Sequence, residues 1–353
     1  MGPPLADAFR FGSVRVGRLL LAGLFIGSAA GAQTDSFFSL VPYLFQEGIA
    51  QGSLLLRAKP VANVLAIKSL DPKTERFLRL SSEILKFAKE QLGMKVGRSY
   101  QTYFDTGKPW VTQVVSAAHK DRLEGFNFQY PIIGAAPYRG FFSEDDAVAF
   151  ELKLRAQGFD TYRRPVEAFS SLGWLPDPLT SCMFSTESRF IEVLFHELTH
   201  LNFFFRDEAD FNEAFASWMG YRAALEFVRA RKDLFPNAAA LETELEGMHA
   251  RQLASSGKIG NILATGRTIY GKAGATMDAK RSEFFGSITK LLGPGEWNNA
   301  RVLAWSTYYD LVPGIDAFAS QQGLTPAAYL KRVVETGPKI IPQIRASRVA
   351  QSK

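Results

Sequence analysis

Residues 191–224 read IEVLFHELTHLNFFFRDEADFNEAFASWMGYRAA, and the division of this run into elements decides most of the fold. Ile191, Val193, Leu194, Phe195, Leu198, Leu201 and Phe203 to Phe205 wrap most of a helical circumference in apolar surface, which predicts a buried helix. The segment FFFRDEA (203–209) then gives the chain room to turn. A second helix over 211–231 would run back past the first.

His196 and His200, at i and i+4, lie on one face of the first helix, one turn apart, where two imidazoles can share one tetrahedral ion. Glu197 projects beside them, placed to act on water without ligating. Charged groups inside an apolar helix need partners, and Zn²⁺ would be one. With four histidines in 353 residues, a chance His-Glu-x-x-His is rare. A third ligand is needed. Six residues after His200 stands Arg206, not a histidine, and His119 and His249 show no ligand spacing, so hydrogen-bonded histidines are the better reading of both. Glu213, near the start of the second helix, would point back at His196 and His200. Asp210 followed by Glu213 also has the spacing of a capping box, in which both acids serve only the helix N-terminus. Asp207, Glu208 and Asp210 are the other acids within reach.

The rest of the chain has a globular composition, 46% hydrophobic and 22% charged, which argues against disorder. A net charge of +6 with Lys and Arg scattered among acids does not indicate a nucleic-acid surface. Arg10, Arg15 and Arg18 precede an apolar stretch from Leu19 to Ala32 ending in Ala30-Gly31-Ala32. This layout predicts a secretory signal over residues 1–32, with Gln33 as the new N-terminus. Export to the periplasm or cell envelope follows, and an uncleaved segment would instead hold the protein at a membrane. The single cysteine, Cys182, cannot form an intramolecular disulfide and reads as a small buried apolar residue.

Asp71-Pro72 opens a predicted helix to about Gln91, with Phe77, Leu80, Ile84, Leu85 and Ala88 on one face and Gly93 beyond its end. WVTQVVSAA (110–118), FNFQYPII (126–133) and FDTYRR (159–164) carry strand residues. Between the second and third lies a predicted loop, GAAPYRGFFSEDD, holding Tyr138 and Arg139. Ser143 with Asp146 then caps a helix closing near Gly158. Helical spacing recurs over 187–205, 211–231, 238–256, 275–292 and 326–336. The expected class is α+β: one mainly helical domain over 33–353, with a small β-sheet in the middle of the chain and a helical C-terminal half.

FHELTHLNFF followed by DFNEAFASWMGYRAA, with APYRGFF (136–142) and SSLGWLPDPL (170–179) before them, resembles a bacterial family described as putative aminopeptidases, exported zinc metallopeptidases of gluzincin type. The resemblance runs from about Phe38 to the NNARVLAWSTYYDLVP stretch at 298–313. It implies a zincin-like fold, peptide or protein substrates, and His196, His200 and Glu213 as the zinc ligands. FNEAFA (211–216) is similar to the NEGFA stretch that carries the glutamate ligand in gluzincin aminopeptidases. Two features depart from the pattern: no lipid-attachment cysteine follows the signal, and the Gly-x-Met-x-Asn motif that holds a substrate amine is absent.

The expected chemistry is peptide hydrolysis with Glu197 as general base. Tyr138 and Arg139 are the candidate oxyanion stabilisers, their alternative being a packed turn tyrosine and a surface arginine. Tyr162 and Tyr221 are further candidates. The competing expectation is a non-catalytic exported module, stabilised by zinc, whose helical half binds a partner.

Overall fold

A computed structural model describes residues 37–130 and 133–351. The expected signal segment and Gln33 lie outside them, as do Pro131 and Ile132 within the second expected strand. In chain order the elements begin with α1 (Phe37–Arg57), β1 (Lys59–Pro60), α2 (Val61–Leu65), α3 (Pro72–Glu90) and β2 (Thr102–Phe104). The strand-rich middle follows with β3 (Thr112–Ala118), β4 (Phe128–Tyr130), β5 (Gly134–Ala136), β6 (Tyr138–Phe141), α4 (Glu144–Ala156), β7 (Asp160–Val166) and β8 (Leu179–Thr180). The C-terminal half contains α5 (Glu187–His200), α6 (Ala209–Ala230), α7 (Ala238–Tyr270), α8 (Met277–Leu292), α9 (Asn299–Tyr309), α10 (Val312–Gln322), α11 (Pro326–Thr336) and α12 (Ile341–Gln351). The class is α+β, with the small sheets central and the second half helical.

Local signals explain several boundaries. The Asp71 carboxylate accepts the Thr74 N–H at 2.8 Å, Pro72 needs no partner in the first turn, and Gly93 beyond the far end has φ +66°. Thr186 caps α5 through Arg189 N–H at 3.3 Å. The first helix of the central run stops at His200, not near residue 205. Asn202 Nδ2 donates to Leu198 O at 2.8 Å and to Lys95 O at 3.1 Å, and its Oδ1 accepts Lys95 N–H at 2.7 Å. That clamp ends the helix and frees the phenylalanine run to turn, with Phe205 stacked on Phe211 and Phe203 packed at an angle against Phe211 and edge-on against Phe215 at the start of α6. Spacing over 238–256 understates α7, which continues to Tyr270.

The sheet that bears on function has the order β6-β3-β7, both outer strands antiparallel to β3. Both therefore run in the same direction, joined by α4. Here the expected loop at 134–141 is corrected: it folds as β5 and β6, pairing with β4 and β3. Side chains on a strand alternate between faces. Val115 pairs with Arg139 and Arg163, and this face packs on α4 through Phe128, Phe141, Ala147 and Leu154. Ser116 pairs with Tyr138 and Tyr162, and Val114 with Arg164; this is the opposite face, toward α9.

In the main core, α5 lies antiparallel to α6 and is buried on nearly all sides, with α3 against it and α10 to α12 closing over α6. Their close approach depends on Gly220. A Cβ there would stand 2.8 Å from the Glu192 backbone oxygen and 3.1 Å from its Oε1. Gly220→Ala is expected to destabilise the protein by about 1–3 kcal/mol, because backbone must move to admit the methyl group. Gly286→Ala on α8, where a Cβ meets nothing within 4 Å, should be neutral or stabilising by up to about 1 kcal/mol. Urea unfolding of both variants checks the contrast, and equal effects would contradict it.

Candidate metal centre

The antiparallel α5 and α6 bring the two histidines and Glu213 to one point. His196 Nε2 and His200 Nε2 are 3.2 Å apart, and Glu213 Oε2 lies 3.4 Å from the first and 3.7 Å from the second. An ion with tetrahedral geometry and bonds of about 2.0–2.1 Å needs ligand atoms separated by about 3.3–3.4 Å. The triangle has that size, and its three side chains are mostly buried, so the donor set fits such an ion.

The capping-box alternative is not what forms. Glu208 is the N-cap residue of α6 without a side-chain cap bond, and Asp210 lies inside the first turn, bonded to Thr307. The other acids near the turn are engaged elsewhere: Asp207 Oδ1 accepts Ala135 N–H at 2.7 Å, and Glu208 faces Arg345 at 3.7 Å. The residue that does position Glu213 is Asn212. Its amide accepts Phe205 N–H at 3.0 Å and donates to Phe205 O at 2.8 Å, locking the start of α6 onto the turn.

Burial alone would raise the Glu213 carboxyl, but hydrogen bonds and charge from His196 and His200 outweigh it and hold it well below the usual carboxylate range. His196, which burial would push down, is raised by Glu213 and Glu197. Burial pushes the Glu197 carboxyl up, against the pull of His196 and His200. Glu197 is 8% exposed, and its neighbours include Tyr100 and Asp177.

Tyr138 reaches this site: its hydroxyl donates to Glu213 Oε1 at 2.9 Å. Arg139 does not, and this corrects its expected place beside the oxyanion. Adjacent residues on a strand point to opposite faces, so Arg139 is buried to 2% exposure on the α4 side, among Tyr43, Phe128 and Phe150 with centroids 4.5, 5.1 and 4.8 Å from its guanidinium carbon. Tyr162 packs against Arg301, and Tyr221 against His249. His249 Nε2 lies 3.3 Å from Asp316, and the His119 ring meets Phe159 edge-on. Cys182 is half-buried, its thiol donating to Glu167 O at 3.1 Å.

Arg164, Tyr308, Tyr100 and Asp177 were not singled out in the sequence. Alternation along 159–164 places Tyr162 and Arg164 on one face, which was a usable signal for Arg164. Nothing local marks Tyr308, 95 residues beyond Glu213.

Asp177 is fully buried, with Oδ2 accepting Ser171 N–H at 2.9 Å and Oδ1 without a partner. Tyr100, also buried and held at φ +61°, donates its N–H to Asp177 O at 2.6 Å. Burial pushes the Asp177 carboxyl from 3.8 up to about 6; Ser171 opposes the rise and the charge of Glu197 adds to it. Between about pH 4 and 6 the folded protein therefore holds a proton that the unfolded chain has released, and stability falls as pH rises through that window. Asp177→Asn, compared with the unaltered metal-free protein at pH 4 and 7, should remove a decline on the order of 2–3 kcal/mol from the unfolding free energy. An unchanged pH slope would sink this assignment.

No curated protein and no solved structure matches the chain. Its residues 42–290, which include α3, the strand-rich middle, α5, α6 and α7, match a family described as "Putative aminopeptidase". The chain belongs to that family.

Proposed function

We propose that the protein is a zinc-dependent peptidase, with His196, His200 and Glu213 holding the ion and Glu197 acting as general base. The observation that carries the reading is the triangle of Nε2, Nε2 and Oε2 atoms, of zinc's size and donor type, with a buried carboxylate next to it. The family match supports peptide bonds as the target. Zinc bound there would supply a Lewis acid for the scissile carbonyl and for water.

Glu197 takes the proton of the attacking water on its carboxylate and returns it to the leaving amine. Burial raises its affinity for that proton and the two imidazoles oppose the rise, a balance that suits a base that must also release the proton. Tyr138 acts on Glu213: by bonding Oε1 it leaves Oε2 toward the histidines. The site is walled by α5, α6 and the Tyr138 face of the sheet, so bulk water reaches it poorly. The N-terminal segment is proposed to export the protein. Intact-mass measurement of the secreted form should then give a chain beginning at Gln33, and retention of residues 1–32 would leave a membrane-held form.

The decisive test combines metal content and cleavage of a peptide library. The wild type should bind about one zinc and cut, Glu197→Gln should keep zinc and lose activity by a factor on the order of 10³ or more, and Glu213→Ala should lose zinc while Asp210→Ala keeps it. Activity surviving in Glu197→Gln with zinc bound would refute the base assignment. Zinc binding without cleavage in the wild type would leave a zinc-stabilised binding module.

A further inference from the structure

Behind Glu213, on the side away from the histidines, stand two tyrosines and an arginine contributed by three other elements. Tyr138 from β6 donates to Glu213 Oε1 at 2.9 Å. Arg164 from β7 donates through Nη2 to the hydroxyl oxygen of Tyr308 on α9, also at 2.9 Å. The two phenols interact, and both feel the charge of Glu213. Arg164 in turn responds to Tyr308, Tyr138 and Glu213.

Donor and acceptor capacity orients the whole arrangement. A guanidinium can only donate and an ionised carboxylate can only accept, whereas a phenol can do one of each. With Arg164 donating to the Tyr308 oxygen, the Tyr308 proton is free to bond the oxygen of Tyr138, the phenol with which it interacts. The Tyr138 proton is committed to Glu213. The row Arg164, Tyr308, Tyr138, Glu213 thus has a fixed cation at one end and the carboxylate at the other, the order in which donors and acceptors can all be matched in one direction and each bond can polarise the next.

We propose that Arg164 and Tyr308 are positioning residues for Glu213: acting through Tyr138, they hold Oε1 away from the imidazoles, keep Oε2 presented to them, and thereby set the affinity of the site for its metal. The proposal rests on the zinc-site reading above. Neither residue touches the ligand nitrogens; besides the charge of Arg164, which acts on Glu213 directly, their effect reaches the site through Tyr138. Outer partners of ligands contribute 10–100-fold to metal affinity in general, roughly the size expected here.

The test is zinc affinity, measured by competition with a chromogenic chelator on the full chain, alongside the thermal midpoint of each metal-free variant. Tyr308→Phe and Tyr138→Phe should each weaken zinc binding about 10-fold or more, with little change in the metal-free midpoint. Because both break one chain, the double variant should bind no more than about 2-fold more weakly than Tyr138→Phe alone. Arg164→Met should resemble Tyr308→Phe, whereas Arg164→Lys, which still offers one charged donor to the Tyr308 oxygen, should recover most of the affinity. Wild-type affinity in both Tyr308→Phe and Arg164→Met would overturn the proposal, as would losses that multiply in the double variant. If the wild type itself binds no zinc, the zinc-site reading has failed, and that outcome is visible before any variant is compared.

Discussion

The close antiparallel packing of α5 on α6 is the constraint on which the rest depends. Gly220 lets the two backbones approach beside Glu192, and two turns further along, the same approach sets Glu213 against His196 and His200. A wider separation would spread the Nε2 and Oε2 atoms beyond what one small ion spans. The apolar residues around α5 do more than stabilise: they exclude water from a cluster of two imidazoles and two carboxylates, where electrostatic coupling is strong. The clamps at Asn202 and Asn212 hold the ends of this helical hairpin, one at the close of α5 and one at the start of α6.

The sheet enters as a second layer whose alternation sorts side chains by role. On one face Arg139, Arg163 and Thr161 turn toward α4, where Arg163 meets Glu151 and Glu144 and Arg139 lies among aromatic rings. On the other, Tyr138 and Arg164 turn toward α6 and α9. The same backbone therefore builds a structural cluster and a wall of the candidate site back to back, and a one-residue change of register would exchange them.

Much of the site was legible because it is local. His196, Glu197 and His200 share one helix turn, and Glu213 stands on the next helix, so periodicity and the turn-forming segment between them placed it within reach, while its spacing from Asp210 left a capping box open. Tyr138 and Arg139 could not be separated while 134–141 read as a loop. Gly134, Pro137 and Gly140 in that stretch look like turn residues, and only the pairing with β3 reveals the strand and its alternation. Helices α9, α10 and α12 were subsumed in a general helical expectation, because Gly, Pro and polar residues interrupt their spacing. Tyr308 and Asp177 were invisible for a different reason: their significance lies in partners far along the chain, and no local pattern encodes a distant hydrogen bond.

That difference in sequence distance has an entropic meaning. The three candidate ligands fall within residues 196–213, so one hairpin closure of low entropic cost brings them together. The bonds of the wall beside Glu213 join residues 75 apart for Tyr138 and 144 apart for Arg164 with Tyr308. Closing loops of that length costs more chain entropy than closing the hairpin. The candidate ligand hairpin is thus a local unit of the chain, whereas the partners of Tyr138 and Arg164 are in place only when the sheet and α9 have come together around it, so the surroundings of Glu213 depend on the entire α+β body.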